Sequence, residues 1–149
     1  MVRTEEWSAP VGLDVLVTNV ASDSHTWNLI YLQLALEELG HRVHNLGACV
    51  PDRLLVAECR RLRPDLVVVS SLNGHGFRDG LRVIGQLRAC QELVALPVVI
   101  GGKLGITGAG ETERAAQLRA AGFDEVFPDG AGIESLAAFT RRLTVGARA

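Results

Sequence analysis

Short runs of aliphatic residues alternate with longer amphipathic segments along nearly the whole chain, and this alternation is the strongest constraint on its fold. The segment 65–71 reads DLVVVSS, which is typical of a central strand buried on both faces. The pattern predicts five strands, at 13–20, 42–47, 65–71, 96–102 and 124–127. It predicts helices at 28–40, 51–63, 78–90, 113–122 and 133–143, followed by a frayed tail at 144–149.

Strands that alternate with helices in this way form a parallel sheet covered by helices on both faces. We therefore predict an α/β fold, a flavodoxin-like (Rossmann-type) doubly wound five-stranded parallel sheet with strand order 2-1-3-4-5. A single domain is expected over residues 1–149, with its core at about 13–143. Ligands of such sheets bind beyond the carboxyl ends of the strands, near the switch between strands one and three. The loops that follow strands one, three, four and five are thus the candidate binding loops.

Composition and charge argue against several classes of protein. The net charge is −2, so no basic face for nucleic acid or an anionic membrane is expected. No stretch reaches the roughly 18 uncharged apolar residues of a membrane span, and the start, MVRTEEWSAP, lacks the apolar core of a signal peptide. Three scattered cysteines without a CxxC motif indicate reduced thiols, so we predict a cytoplasmic protein.

The candidate loops are rich in small and hydroxyl-bearing residues, which allow a ligand to approach the backbone closely. The candidate binding residues after strand one are Ser22, Asp23, Ser24, His25 and Thr26. Those after strand three are Ser70, Ser71 and Leu72, and those at and after the end of strand four are Gly101, Gly102, Lys103, Leu104 and Gly105.

Common sites of doubly wound proteins do not match these loops. A P-loop would need Ser or Thr after Gly102-Lys103, where Leu104 stands, and the GxGxxG fingerprint is absent after strand one. A receiver domain would need an aspartate at the end of strand three, where Ser70 and Ser71 stand. A flavin site fits the hydroxyl-rich first loop loosely, but Trp27 is the only tryptophan nearby to cover the flavin.

Asp23 and His25 are two residues apart, and in an extended loop such residues point to the same side. A carboxylate that accepts one imidazole N–H leaves the other ring nitrogen unprotonated, as a metal ligand requires. The same pair could act as a general base with its orienting acid. Alternatively, Asp23 or Ser24 caps the first helix and His25 has no functional role. These two residues alone leave the alternatives open.

Three motifs together resemble the cobalamin-binding domain of adenosylcobalamin-dependent mutases and methionine synthase. The family pattern is D-x-H-x-x-G, then S-x-L, then G-G. This chain has Asp23-Ser24-His25, Ser70-Ser71-Leu72 and Gly101-Gly102, in the same order and at matching intervals. The resemblance covers about residues 13–143, and it is greatest to the small, sigma-type subunit of glutamate mutase (methylaspartate mutase).

The resemblance implies a role for each motif. His25 would replace the cofactor's own dimethylbenzimidazole as the lower ligand of cobalt, with Asp23 holding its other ring nitrogen. The displaced nucleotide tail would enter a slot near Ser70 and the glycine pair. Leu72 would offer an apolar contact, and Lys103, Leu104 and Gly105 would form part of the wall. The chain departs from the pattern at Asn28, where the family has glycine, so the tail path or the affinity for cobalamin is expected to differ.

The resemblance also implies a partner. The chain would be the cofactor-binding subunit of an adenosylcobalamin-dependent isomerase that converts L-glutamate to 3-methylaspartate by radical chemistry, and it would be inactive alone. A large TIM-barrel catalytic subunit would hold the substrate. Two other interpretations remain open: a stand-alone cobalamin carrier or sensor that serves another enzyme, or a flavodoxin-like module that has lost cobalamin.

Overall fold

A computed structural model of the chain describes residues 12–72, 74–102, 110–128 and 131–147. Strands and helices alternate throughout these residues. The strands are β1 (Asp14–Asn19), β2 (Arg42–Asn45), β3 (Leu66–Ser71), β4 (Val98–Gly102) and β5 (Glu125–Phe127). The α-helices are α1 (Trp27–Glu38), α2 (Asp52–Leu62), α3 (Gly76–Ala89), α4 (Glu111–Ala121) and α5 (Ile133–Ala147), and a 3₁₀ turn at Gln91–Leu93 precedes β4.

The strands form one sheet in the order β2-β1-β3-β4-β5, and every neighbouring pair is parallel. This arrangement confirms the predicted flavodoxin-like fold. Because all five strands run in the same direction, their carboxyl ends lie at one edge of the sheet. The direction of winding switches between β1 and β3, so the loops after these two strands diverge there and leave a crevice.

Alternate residues of the central strands enter two separate cores. Val67 and Ile100 pack on one face of the sheet, against buried side chains of α2, α3 and α4. Val68 and Val99 pack on the other face, against buried leucines of α1 and α5. Burial on both faces explains why β3 is apolar without interruption.

One row of paired residues crosses the sheet near its carboxyl edge. Asn19 of β1 pairs with Ser70 of β3, Ser70 pairs with Gly101 of β4, and Gly101 pairs with Phe127 of β5. Asn19, Ser70 and Gly101 each lie two residues beyond a strand position that faces α1 and α5, so they share that face. Small and polar residues therefore replace the aliphatic core where the sheet meets these two helices.

Helix α5 is longer than the sequence pattern predicts. It continues to Ala147, so a frayed tail beginning at residue 144 is wrong for the residues described. Leu143 packs against the core, and the Thr144 hydroxyl donates a 2.8 Å hydrogen bond to the Thr140 carbonyl. These contacts extend the helix past the last strongly apolar position of the pattern.

Candidate functional site

The buried carboxylate of Asp23 joins the loop after β1 to the end of β3. Its Oδ1 accepts a 2.9 Å hydrogen bond from the backbone N–H of His25, and its Oδ2 accepts one of 2.5 Å from the backbone N–H of Leu72. The main chain of Asp23 is held as well, because its N–H donates to the Val20 carbonyl and its carbonyl accepts from the Cys49 N–H. These bonds fix the loop relative to the sheet.

The imidazole of His25 is oriented by the same carboxylate. Its Nδ1 lies 2.6 Å from Asp23 Oδ1. Burial by itself would raise the pKa of Asp23, but hydrogen bonds from the Leu72 and His25 backbones and from the His25 ring hold that pKa below its ordinary value. An ionised carboxylate only accepts hydrogen bonds, so in the neutral imidazole Nδ1 carries the proton and the lone pair is on Nε2. The His25 side chain is 53% exposed, so the ring is open to a ligand.

The interpretation of Asp23 or Ser24 as a helix cap is wrong. Helix α1 begins at Trp27, and Thr26 occupies the cap position without a side-chain cap hydrogen bond. Both carboxylate oxygens of Asp23 are engaged by backbone N–H groups outside the helix. The first loop is therefore organised around the aspartate–histidine pair and not around the start of the helix.

A slot of about 240 Å³ opens between the carboxyl edge of the sheet and helices α1 and α5. Most of its wall is apolar, with a few polar groups from α1 and β3. An apolar cavity of about 150 Å³ is large enough to bind benzene, so this slot has room for a larger planar group. Its lining residues are Asn28, Tyr31, Leu32, Val68, Val69, Ser70, Gly101, Gly102, Phe127, Pro128, Ala131, Gly132, Ile133 and Leu136.

The two positions at the end of β4, 101 and 102, favour glycine for different structural reasons. Gly102 has a φ of +97°, and a Cβ there would lie 2.3 Å from the Ser71 carbonyl oxygen, so only glycine fits without strain. Gly101 has no such conformational demand, but a Cβ there would lie 3.2 Å from Phe127 Cβ, at the wall of the slot. Gly102 thus shapes the backbone, whereas Gly101 keeps the slot open.

Asn28 lies in the first turn of α1 and lines the slot. Its Nδ2 donates to Ser70 Oγ at 2.7 Å and to Asn19 Oδ1 at 3.2 Å. The Nδ2 of Asn19 in turn donates to the backbone carbonyl of His25. A chain of hydrogen bonds therefore connects the slot to the histidine loop.

Asn19 is the functional-site residue that the sequence pattern does not reveal by itself. Its side chain is buried at the end of β1, beside Ser70 in the sheet. A polar residue at the end of a largely aliphatic strand was the available signal, and only the neighbours of Asn19 in the sheet show its role.

The structure separates the remaining predicted residues into groups. Ser70, Gly101 and Gly102 line the slot together. Leu72 contributes its backbone N–H to Asp23. Ser24 and Thr26 are exposed in the first loop, and Ser71 is buried beside Gly102. The Ser22 hydroxyl donates to Asp79 on α3, and Lys103, Leu104 and Gly105 lie outside the described residues.

Candidate metal ligands do not cluster into a larger site among the described residues. None of their histidines, cysteines, aspartates and glutamates form a group of three or more that could hold a metal ion. A single imidazole such as His25 suits a metal that is already coordinated within a cofactor. In the same described part of the chain, no helix is both long enough and apolar enough to cross a membrane.

The family model described as the B12 binding domain matches residues 13–137, and the chain belongs to this family.

Two relatives illustrate what the chain is similar to in sequence. The glutamate mutase sigma subunit of Halobacterium salinarum is 34% identical over 123 residues, which cover 82% of this chain and 80% of that protein. The HTH-type transcriptional repressor CarA of Myxococcus xanthus is 35% identical over 95 residues, which cover 63% of this chain and 32% of the repressor. This chain is therefore related to glutamate mutase sigma subunits over most of its length.

Solved structures confirm the architecture. A cobalamin-binding protein from Desulfitobacterium hafniense superposes with a TM-score of 0.61 at 22% identity, covering 92% of this chain and 58% of that chain. A Francisella response-regulator receiver domain superposes with a TM-score of 0.69 at 19% identity, covering 91% of this chain and 99% of that chain. At these identities the likeness shows the shared fold alone, and the chemistry depends on the loops.

Proposed function

We propose that this chain is the cobalamin-binding small subunit of an adenosylcobalamin-dependent carbon-skeleton mutase that resembles glutamate mutase. The observation that carries the proposal is the His25–Asp23 pair at the carboxyl edge of the sheet. Family membership and the relation to sigma subunits support it further. In this proposal His25 is the lower ligand of cobalt, and L-glutamate and 3-methylaspartate are the substrate and product of the assembled enzyme.

The residues present fit the cofactor in two respects. Asp23 fixes the tautomer of His25 that keeps the lone pair on Nε2, and a carboxylate partner raises the basicity of a ligating imidazole. The slot beside Ser70 is largely apolar with a polar end, as suits a planar aromatic base with one polar edge. Hydrogen bonds through Asn19 and Asn28 link the slot to the backbone of His25, which supports a tail site in the slot beside a cobalt site at His25.

Adenosylcobalamin supplies a cobalt–carbon bond that can be cleaved homolytically to start a radical isomerisation. The residues of this chain perform the binding. His25 would ligate the cobalt, Asp23 would orient the imidazole, and Ser70 would donate a hydrogen bond to the nucleotide in the slot. Substrate binding is assigned to a large TIM-barrel subunit.

An exposed apolar surface on α1 supports the need for such a partner. Trp27 and Tyr31 are 80% and 60% exposed, and Ile30 and Leu34 on the same helix are also exposed. These positions recur at helical spacing and form one stripe, which begins two residues after His25. Large exposed apolar side chains grouped beside a site are typical of a protein–protein interface.

The test is the visible spectrum of bound cobalamin. We expect wild-type protein to bind aquocobalamin with His25 coordinated, and His25→Ala to change that spectrum while leaving the far-ultraviolet circular dichroism unchanged. His44→Ala, on the edge strand β2, is the matched control and should retain the wild-type spectrum. An unchanged spectrum in His25→Ala would refute the lower-ligand assignment. Conversion of glutamate to 3-methylaspartate with a large subunit added tests the reaction itself.

The relation to the CarA repressor favours a second candidate function. In that protein the shared part is about a third of a transcriptional regulator. A cobalamin carrier or sensor for another protein would use the same His25 loop and slot, but its partner would not be a mutase subunit. Cobalamin binding without any mutase activity after addition of large subunits would support this second candidate.

A further inference from the structure

The orientation of the Asn28 amide is determined by its neighbours. The His25 backbone carbonyl can only accept a hydrogen bond, so the Asn19 group that contacts it is the Nδ2 donor. Asn19 then presents Oδ1 to Asn28, which must contribute its own Nδ2. The second hydrogen of this Nδ2 is donated to Ser70 Oγ. Both amide hydrogens of Asn28 are therefore used within the protein.

This arrangement leaves complementary groups at the polar end of the slot. Asn28 Oδ1 is buried and has no hydrogen-bond partner among the described residues, which is an unfavourable state for a carbonyl oxygen. Ser70 Oγ already accepts from Asn28, so its own O–H is left to donate. Both residues line the slot. A ligand complementary to this part of the slot would carry an acceptor for the Ser70 O–H beside a donor for Asn28 Oδ1.

We propose that Asn28 is a specificity-determining residue of the slot, which with Ser70 selects a corrinoid whose lower base carries an N–H donor beside a ring-nitrogen acceptor. This inference rests on the proposed function, since it assumes that the slot receives the nucleotide tail. Adenine has the required edge, an amino group next to ring nitrogens. Dimethylbenzimidazole offers a ring nitrogen but has only methyl and C–H groups besides. A glycine at position 28, as in the family pattern, could make no such distinction.

The experiment compares three corrinoids by equilibrium titration of the full chain, followed by visible absorbance. The probes are cobalamin, its analogue with adenine as the lower base, and cobinamide, which lacks the nucleotide. We expect wild-type protein to bind the adenine analogue about tenfold more tightly than cobalamin, the factor expected of one added hydrogen bond. In Asn28→Ala and Asn28→Gly this preference should disappear, while the affinity for cobinamide stays within about twofold of wild type.

Two controls keep the result interpretable. Asn45→Ala removes another half-buried asparagine, which bonds to Gln33 outside the slot, and should retain the preference. Circular dichroism and unfolding midpoints check that the Asn28 variants fold, and Asn28→Ala keeps a helix-favouring residue at this position. A wild-type preference for cobalamin, or a preference that survives in both Asn28 variants, would overturn the inference. If wild-type protein bound none of the three corrinoids, the proposed function itself would fail.

Discussion

The Nδ1 atom of His25 lies 2.6 Å from Oδ1 of Asp23, a carboxylate with no solvent-exposed surface that also accepts hydrogen bonds from two backbone N–H groups. One buried acid thus fixes the imidazole and the conformation of the loop that carries it. Oδ1 orients the ring, whereas Oδ2 ties the loop to the end of β3 by accepting from the Leu72 N–H.

Replacing Asp23 by asparagine tests this double role. The amide keeps the size of the side chain but loses the charge, so the bonds to the backbones of His25 and Leu72 weaken. We expect the free energy of unfolding to fall by about 1–3 kcal/mol and the affinity for cobalamin to fall roughly 10–100-fold. Urea denaturation and absorbance titration measure the two effects. A variant with wild-type stability and affinity would contradict this role.

Gly102 offers a test of whether a glycine is required by the backbone, with Gly85 of α3 as the comparison. Gly102→Ala forces a side chain into the left-handed region and against the Ser71 carbonyl, so we expect a loss of about 1–3 kcal/mol in unfolding free energy. Gly85 lies exposed within α3 with open space around it, and Gly85→Ala should stabilise the protein by up to about 1 kcal/mol. Denaturation curves of the two variants should therefore shift in opposite directions.

His41 predicts a dependence of stability on pH. Its side chain is half-buried, and its Nδ1 accepts a 3.0 Å hydrogen bond from the Leu13 N–H. Burial lowers the pKa of His41 below its usual 6.5 in the folded protein, so its contribution to stability is present above pH 6.5 and is lost as pH falls through the lowered pKa. His41→Asn keeps an acceptor that does not titrate.

Unfolding midpoints measured between pH 5 and 8 check this prediction. The wild-type midpoint should fall towards the acidic end more steeply than that of His41→Asn, by an amount equivalent to roughly 1 kcal/mol, the typical net value of one hydrogen bond. If the midpoints of wild type and His41→Asn changed with pH in parallel, His41 would not contribute to the pH dependence of stability.

The apolar stripe on α1 predicts where a large subunit binds. We expect Trp27→Ser to weaken association with that subunit at least tenfold, since buried aromatic anchors typically contribute about 2 kcal/mol or more, and Leu34→Ser to weaken it by a smaller factor. Both side chains are exposed in the isolated chain, so stability should change by less than about 0.5 kcal/mol. Val145→Ser, at an exposed position on α5, is the matched control. Association is measured by calorimetry. If wild type and the three variants bound the large subunit equally well, the stripe on α1 would be excluded as the binding surface.

Much of the fold could be predicted because the periodicity of apolar residues in the sequence matches the burial of those residues in the structure. The uninterrupted β3 and the alternation of strands with helices define the sheet order, and the matching loop motifs identify the family. Boundaries were less predictable. Helix α5 extends to Ala147 because Leu143 and Thr144 gain contacts in the folded chain that no local pattern encodes.

The sequence by itself determined the aspartate–histidine pair, the glycines and the departure at Asn28, because these depend on residue type and spacing. Only the tertiary structure decided what Asn28 does, since its partners Asn19 and Ser70 come from two strands that are adjacent only in the sheet. Hydrogen bonds need distances near 3 Å and a defined donor and acceptor. Pairing of parallel strands supplies that geometry between residues far apart in the chain.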